Sequence, residues 1–320
     1  MANIHHPRRG SLQIWPRVRA KRHIARIRTW HTDSSDSKLL AFIGYKAGMT
    51  HLIVRDTSPH SMYKNDDLFI PATVIECPPL RALSLCFYKK TYDGLKLFSE
   101  VSSKSITKEL KKHIKLTKKE VKEPENFDEI RLKVYTQPYL LGIGKKKADI
   151  IEIGISGKDN KEKLNFAKSL LEKEIKIQDF FKDQKFFDVH SVTKGKGFQG
   201  TVKRYGVKIR QHKAEKTKRG IGTLGSWHPN KVQFQVAQAG KMGYHQRTEY
   251  NKQTLLIDSD PKKINPKSGF LHYGLIKNDY ILLKGSIPGS SKRPIILTPN
   301  IRRRQGFDYQ IKLINLDSKQ

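Results

Sequence analysis

Between Val189 and Lys252 the chain carries fourteen lysines and arginines and nine glycines, with only Glu215 and Glu249 as acids. Glycine in a helix interior costs about 0.5–1 kcal/mol relative to alanine, so glycines at 195, 197, 200, 206, 220, 222, 225, 240 and 243 exclude a long helix across this stretch. So many like charges cannot collapse into a core of their own. The whole chain repeats the imbalance, with 63 Lys and Arg against 30 Asp and Glu and a formal net charge of +33. Solubility asks for far less charge than this, so the excess points to a dense polyanion as partner.

The first 38 residues read as an extended arm. Up to Trp30 there is no acid, and Arg8, Arg9, Arg17, Arg19, Lys21, Arg22, Arg26 and Arg28 are interleaved with Trp15 and Trp30. Pro7, Gly10 and Pro16 break regular structure, so the arm suits a path along a phosphate backbone with aromatics stacking on bases. It is expected to be disordered alone and ordered on its partner. From Leu39 the texture turns to β, with strands of about five to seven residues expected in LLAFIGYKAGMTHLIVRD, FIPATVIECPPL and RALSLCFYKK. It turns to β again in TLLID, YILLKGS and PIILTP before the basic cluster Arg302, Arg303 and Arg304. Segments 39–95 and 188–320 therefore read as one β-barrel completed from both halves of the chain. Between them, 96–187 reads as an α/β insertion, nearly balanced in charge. Ile106, Leu110 and Ile114 space one helix, and Leu164, Ala167, Leu170, Leu171 and Glu174 another that starts after Asp159 or Asn160. RLKVYTQP and ADIIEIGIS read as strands between the two helices. Residues 206–245 form the extended central loop of the second barrel segment.

Cys77 and Cys86 have neither the number nor the spacing for a disulfide framework or a zinc site, and read as inert buried thiols of a reducing cytoplasm. No apolar run approaches the length of a membrane helix, and the arginine-rich N-terminus has no apolar core of a secretion signal.

GKGFQGTV at 195–202 spells G-x-G-x-x-G-x-V, the pattern of a dinucleotide fingerprint and of a kinase glycine-rich loop. A dinucleotide site needs a helix opening at the glycines. TVKRYGVKIRQHK, with β-branched residues, Gly206 and no apolar face, predicts none, and no other kinase motif follows. The glycines instead let backbone N–H groups approach RNA phosphates that Lys194, Lys196, Lys203 and Arg204 neutralise. Phe198, Tyr205, Trp227 and Tyr244 lie among the charges, where aromatics call for a stacked base or a core. A metal, acid-pair or nucleophile constellation is missing from the sequence, and His190, His212, His228 and His245 lack ligand spacing. An RNA-modifying enzyme and a DNA-compacting protein are the alternatives. The first lacks a catalytic group and the second lacks a groove-reading helix.

DVHSVTKGKGFQGTVKRYG at 188–206 and KTKRGIGTLGSWHPNKVQFQVAQAGKMGYHQRTEYNK at 216–252 resemble the central signature of the ribosomal protein L3 family, archaeal and eukaryotic type. HHPRRGSLQIWPRVRAKR, IGYKAGMTHLIVRD, PATVIECPPL and GLIKNDYILLKGSIPGSSKRPIILTPNIR extend the resemblance over both termini and the middle. The resemblance implies a mainly β fold with an α+β insertion: a translation-factor-like β-barrel, an N-terminal arm and a long loop. That loop enters large-subunit rRNA towards the peptidyl transferase centre. Gly225, Ser226, Trp227, His228 and Pro229 match the family's G-x-W-H-P loop tip. Where eukaryotic members carry a modifiable histidine this chain has Lys218, so that modification does not transfer. The absence of the long eukaryotic C-terminal extension favours an archaeal origin.

The partners so implied are 23S-type rRNA and neighbouring large-subunit proteins on cytoplasmic ribosomes, with no cofactor, metal, membrane or small-molecule substrate and no catalysis. The expected RNA-binding residues in the arm are Arg8, Arg9, Trp15, Arg17, Arg19, Lys21 and Arg22. In the loop they are Lys194, Lys196, Phe198, Lys203, Arg204, Lys208, Arg210, Lys213, Lys216, Lys218, Arg219, Gly225, Trp227, His228, Lys231, Lys241, Tyr244, His245 and Arg247. Arg302, Arg303 and Arg304 complete the set.

Overall fold

The computed structural model describes residues 7–31, 36–114, 123–124, 126–214, 216–302 and 306–317. Two compact units are present, Met1–Arg22 with Val192–Arg247, and His23–Ser191 with Thr248–Gln320. The chain is mainly β. Its elements begin with β1 (Phe42–Asp56), β2 (Asp67–Glu76), β3 (Leu80–Thr91), β4 (Gly94–Ser102), α1 (Lys108–Lys111), β5 (Glu129–Tyr135) and β6 (Ile150–Gly154). They continue with α2 (Asn160–Leu170), β7 (Glu174–Ile175), α3 (Ile177–Phe181), β8 (Phe186–Val192), β9 (Phe198–Gln199), α4 (Thr201–Tyr205) and β10 (Gly240–Lys241). β11 (Gln246–Asp258), β12 (Tyr280–Lys284), β13 (Pro294–Pro299) and β14 (Tyr309–Ile314) complete the order.

One sheet runs β13-β8-β11-β12-β2-β1-β14, and β1 also pairs with β13. The path of bonded neighbours from β1 through β2, β12, β11, β8 and β13 thus returns to β1. A second sheet runs β4-β3-β5-β6, with β7 on β3. Strands from both ends of the chain meet in the first sheet because their apolar residues alternate to fit two cores. On β12, Ile281 and Leu283 face one buried cluster with Phe42, Leu85, Phe187 and Leu297. Tyr280 and Leu282 face another with Tyr45, Leu52 and Val74. A strand buried on both faces reads as a continuous apolar run, which is what YILL is. Each such side chain contributes roughly 1.5–3 kcal/mol on burial.

β1, β2 and β3 are 15, 10 and 12 residues long, well beyond the five to seven expected. The reason for β1 is that one strand serves successive partners. Phe42–Tyr45 pair with β13 and Leu52–Asp56 with β14, while β2 lines the other edge. Irregularities in its register let the strand turn between them.

The helix starting after Asp159 is present as α2, burying Ala167 and Leu170, but it ends at Leu170, and Glu174, expected to continue it, instead pairs with Arg81 of β3 in β7. The one expected over Ile106, Leu110 and Ile114 is shorter, a single turn, although those three residues do pack together with Tyr135. Glu76, fully buried, accepts hydrogen bonds from the backbone N–H groups of Lys277 and Asn278, from Asn278 Nδ2 and from the Tyr273 hydroxyl, so its buried carboxyl oxygens are both paired. Cys77 and Cys86 are free and buried, and burial raises both thiols, Cys86 to about 11, which keeps them unreactive. Among the described residues no helix is long and apolar enough to cross a membrane.

Candidate nucleic-acid interface

The glycine-rich segment starts and ends as a paired stem within the smaller unit. β9 and β10 pair antiparallel. Below them the Thr193 amide donates to the His245 carbonyl at 3.0 Å, Lys196 to Met242 at 2.9 Å and Met242 to Gly197 at 2.9 Å. The stem depends on Gly243. Its φ is +74°, and a Cβ there would stand 1.9 Å from the Lys194 carbonyl oxygen.

Contrary to the sequence expectation, a helix does open after Gly200. α4 is one turn, with Arg204 N–H bonded to the Gly200 carbonyl at 2.9 Å and Gly206 N–H to Val202 at 2.8 Å. A single turn tolerates Thr201 and Val202, and Gly206 in the left-handed conformation, φ +67°, ends it. The element before it is two residues of antiparallel strand, not the parallel strand that a dinucleotide fold needs, so the dinucleotide reading remains excluded.

The arm is expected to be disordered without its partner; within this unit residues 8–20 nevertheless make several contacts with the rest of the chain. Arg17 lies over the Tyr205 ring at 4.4 Å and over Trp15 at 5.7 Å, and Trp15 meets Phe234 edge-on at 5.6 Å. Arg8 donates to the Gln235 carbonyl at 2.5 Å, and the Ala20 amide to the Tyr244 carbonyl at 2.8 Å. His245 Nδ1 stands 2.7 Å from the Val18 carbonyl, and Arg19 lies 5.3 Å from the Tyr244 ring centre. Planar guanidinium and aromatic faces attract without needing an apolar core, which is how a chain this polar holds itself together.

These contacts sort the expected residues. Tyr205 and His245 are buried, 7% and 8% exposed, and face their own chain. Arg204 donates to the carbonyls of Gln238 and Lys241, and Arg210 to that of Ile221. Arg247 is half-buried, and burial followed by the nearby Arg17 charge lowers its pKa. By contrast Arg9, Lys21, Arg22, Lys194, Lys196, Lys203, Lys208, Lys213, Lys216, Lys218, Arg219, Lys231 and Lys241 are exposed. Phe198 and Trp227 are 73% and 80% exposed. At the tip, Gly225 has φ +125°, Ser226 Oγ donates to the His228 carbonyl, and His228 is exposed. Arg210, Lys218, Arg219, Gly220 and Gly222 line an open recess. In the larger unit Arg302 lies over Tyr250 at 4.4 Å, whereas Arg303, Arg304 and Glu215 fall outside the described residues.

The tight base of the stem went unnoticed in the sequence. Gly243 and Tyr244, the latter with φ +54°, set its geometry. Their signal was the G-Y pair inside KMGYHQR, a glycine where a strand would otherwise continue.

The profile of the family described as Ribosomal protein L3 matches residues 1–125 and 112–320. The chain is 42% identical to the large ribosomal subunit protein uL3 of Methanocaldococcus jannaschii, over 99% of this chain and 98% of that protein. Identity is also 42% to the uL3 of Methanobrevibacter smithii, over 100% and 99%, and 41% to that of Picrophilus torridus, over the same shares.

Proposed function

We propose, from the premise that the chain belongs to the ribosomal protein L3 family, that its arm and glycine-rich loop hold large-subunit rRNA in a fixed shape. The protein is a structural constituent of the large ribosomal subunit, ribosome-bound in the cytoplasm beside other large-subunit proteins, and not an enzyme. It supports assembly of the 23S-type rRNA and extends its loop towards the peptidyl transferase centre.

The observation that carries the residue assignment is the loop's exposed charge. Lys194, Lys196, Lys203, Lys208, Lys213, Lys216, Lys218, Arg219, Lys231 and Lys241 are all exposed, and none forms an ion pair among the described residues. These cations neutralise phosphates, which positions the loop without reading sequence. Phe198 and Trp227 offer rings to unpaired bases, and Gly225 lets the backbone pass close to RNA. Tyr205, Arg17, Tyr244 and His245 instead brace arm against stem. The strand pairings that return to β1 support a closed barrel built from 39–95 and 188–320, with 96–187 as an insertion whose sheet also takes in β3.

The test is retention of the protein on large subunits through a rising salt wash. Each lysine changed to glutamine in the loop should release the protein at lower salt, since each lost phosphate contact takes about 0.7–0.9 off the logarithmic salt slope. Wild-type protein that washes off at low salt would reject the assignment.

A further inference from the structure

The hairpin joining β3 to β4 outruns its sheet. β5 pairs with β3 only as far as Tyr88 opposite Glu129, whereas β3 and β4 stay paired out to Thr91 opposite Gly94. Beyond Tyr88 one further bond, from the Lys90 N–H to Asp128 Oδ2 at 2.6 Å, holds the outer edge of β3, and residues 90–98 are exposed on both faces of a two-stranded ribbon. Such ribbons are marginal in water on their own, and this one carries two added costs. Lys89 stands directly opposite Lys96, and like charges facing each other across a ladder are destabilising. Tyr92 is fully exposed at the turn and Phe98 is 59% exposed.

Phe98 sits beside the lysine pair. Phe98 is the extra residue where the register shifts between Phe87 and Tyr88, and such a bulge re-aims a side chain. Its ring lies 4.5 Å from Lys89 Nζ. Neither Lys89 nor Lys96 forms an ion pair among the described residues. Lysines that only guard a strand edge against aggregation need no aromatic ring beneath them. Two opposed ammonium groups beside an exposed ring match a phosphate with its neighbouring base, because Cα atoms paired across a ladder are about 4.5–5.5 Å apart and two long side chains can close on one anion.

We propose that this ribbon is an RNA-binding site separate from the glycine-rich loop, with Lys89 and Lys96 clamping one phosphate, Phe98 stacking on the neighbouring unpaired base, and Tyr92 exposed at the turn of the same ribbon. The anion removes the repulsion that the ribbon bears alone. The site rests on the ribosomal assignment only for the RNA it meets.

The experiment uses large subunits reconstituted with the full chain, carrying a photoreactive benzophenone side chain in place of Tyr92. Irradiation should crosslink position 92 to an rRNA nucleotide. In the same particles, acylation of Lys89 and Lys96 by an N-hydroxysuccinimide ester should be slowed about tenfold relative to free protein, equivalent to about 1.4 kcal/mol of contact. A crosslink to another protein, or lysines reacting at the free rate in particles that contain the chain, would overturn the ribbon site and leave the ribosomal assignment standing. Failure of the chain to enter particles at all would overturn both.

Discussion

Arg17 and Tyr205, 188 positions apart, are in contact, with the guanidinium carbon over the ring, 4.4 Å from its centre. Gly10 makes room for them, since a Cβ there would come within 2.5 Å of the Tyr205 ring. The contact joins the arm to α4. Arg17→Ala should weaken it by about 0.5–2 kcal/mol. Limited trypsin digestion of purified protein should then cut faster at Arg19, Lys21 and Arg22, while the thermal transition of the larger unit stays put. Arg17→Lys keeps the charge but loses the flat face, and should fall in between.

Gly243→Ala should open the stem. The substitution adds a Cβ where φ is +74° and the Lys194 carbonyl is 1.9 Å away, so backbone has to move. The amides of Lys196 and Met242, bonded across the stem at 2.9 Å, should lose most of their hydrogen-exchange protection. Wild-type protection in the variant would show that the stem does not depend on this glycine.

Trp227→Ala should leave stability within about 0.5 kcal/mol of wild type, as expected for a side chain that is 80% exposed. Its effect should appear in the subunit, as altered tRNA accommodation or altered sensitivity to peptidyl transferase inhibitors. A lowered thermal midpoint with unchanged inhibitor footprints would assign the ring to packing instead.

His190 should make the larger unit acid-sensitive. Its ring nitrogens bond to Thr248 Oγ1 at 2.9 Å and Thr298 Oγ1 at 3.0 Å, and burial, partly offset by Asp188, lowers its pKa below the usual 6.5. The unfolded chain therefore takes up the proton more readily. The contribution is complete above about pH 6.5 and is lost as pH falls through the lower folded value. Thermal midpoints measured from pH 7.5 down to 5 should fall less steeply in His190→Gln than in wild type, and an equal slope would refute the linkage.

Much of this was readable from residue order, and what escaped has a common cause. Asp159 marks the start of α2, and the run Tyr280–Leu283 marks a strand buried on both faces, because each depends on neighbours a few positions away. The length of β1 does not, since it follows from partners near residues 72, 295 and 311. His245 sits among lysines and is expected to contact RNA, and Tyr205 calls for a stacked base or a core; arm residues 227 and 188 positions earlier lie against them. The exposed lysines need no partner inside the chain, so their exposure is legible in the charge and glycine pattern of neighbouring positions.

β1 is made early but borders β13 and β14, which come last. Until translation passes residue 297, Phe42–Tyr45 wait with one side of their backbone not fully paired, and Leu52–Asp56 wait until residue 314. A frameshift just before codon 294 would therefore strike at the oldest part of the molecule, exposing a sticky edge more than two hundred residues upstream of the lesion.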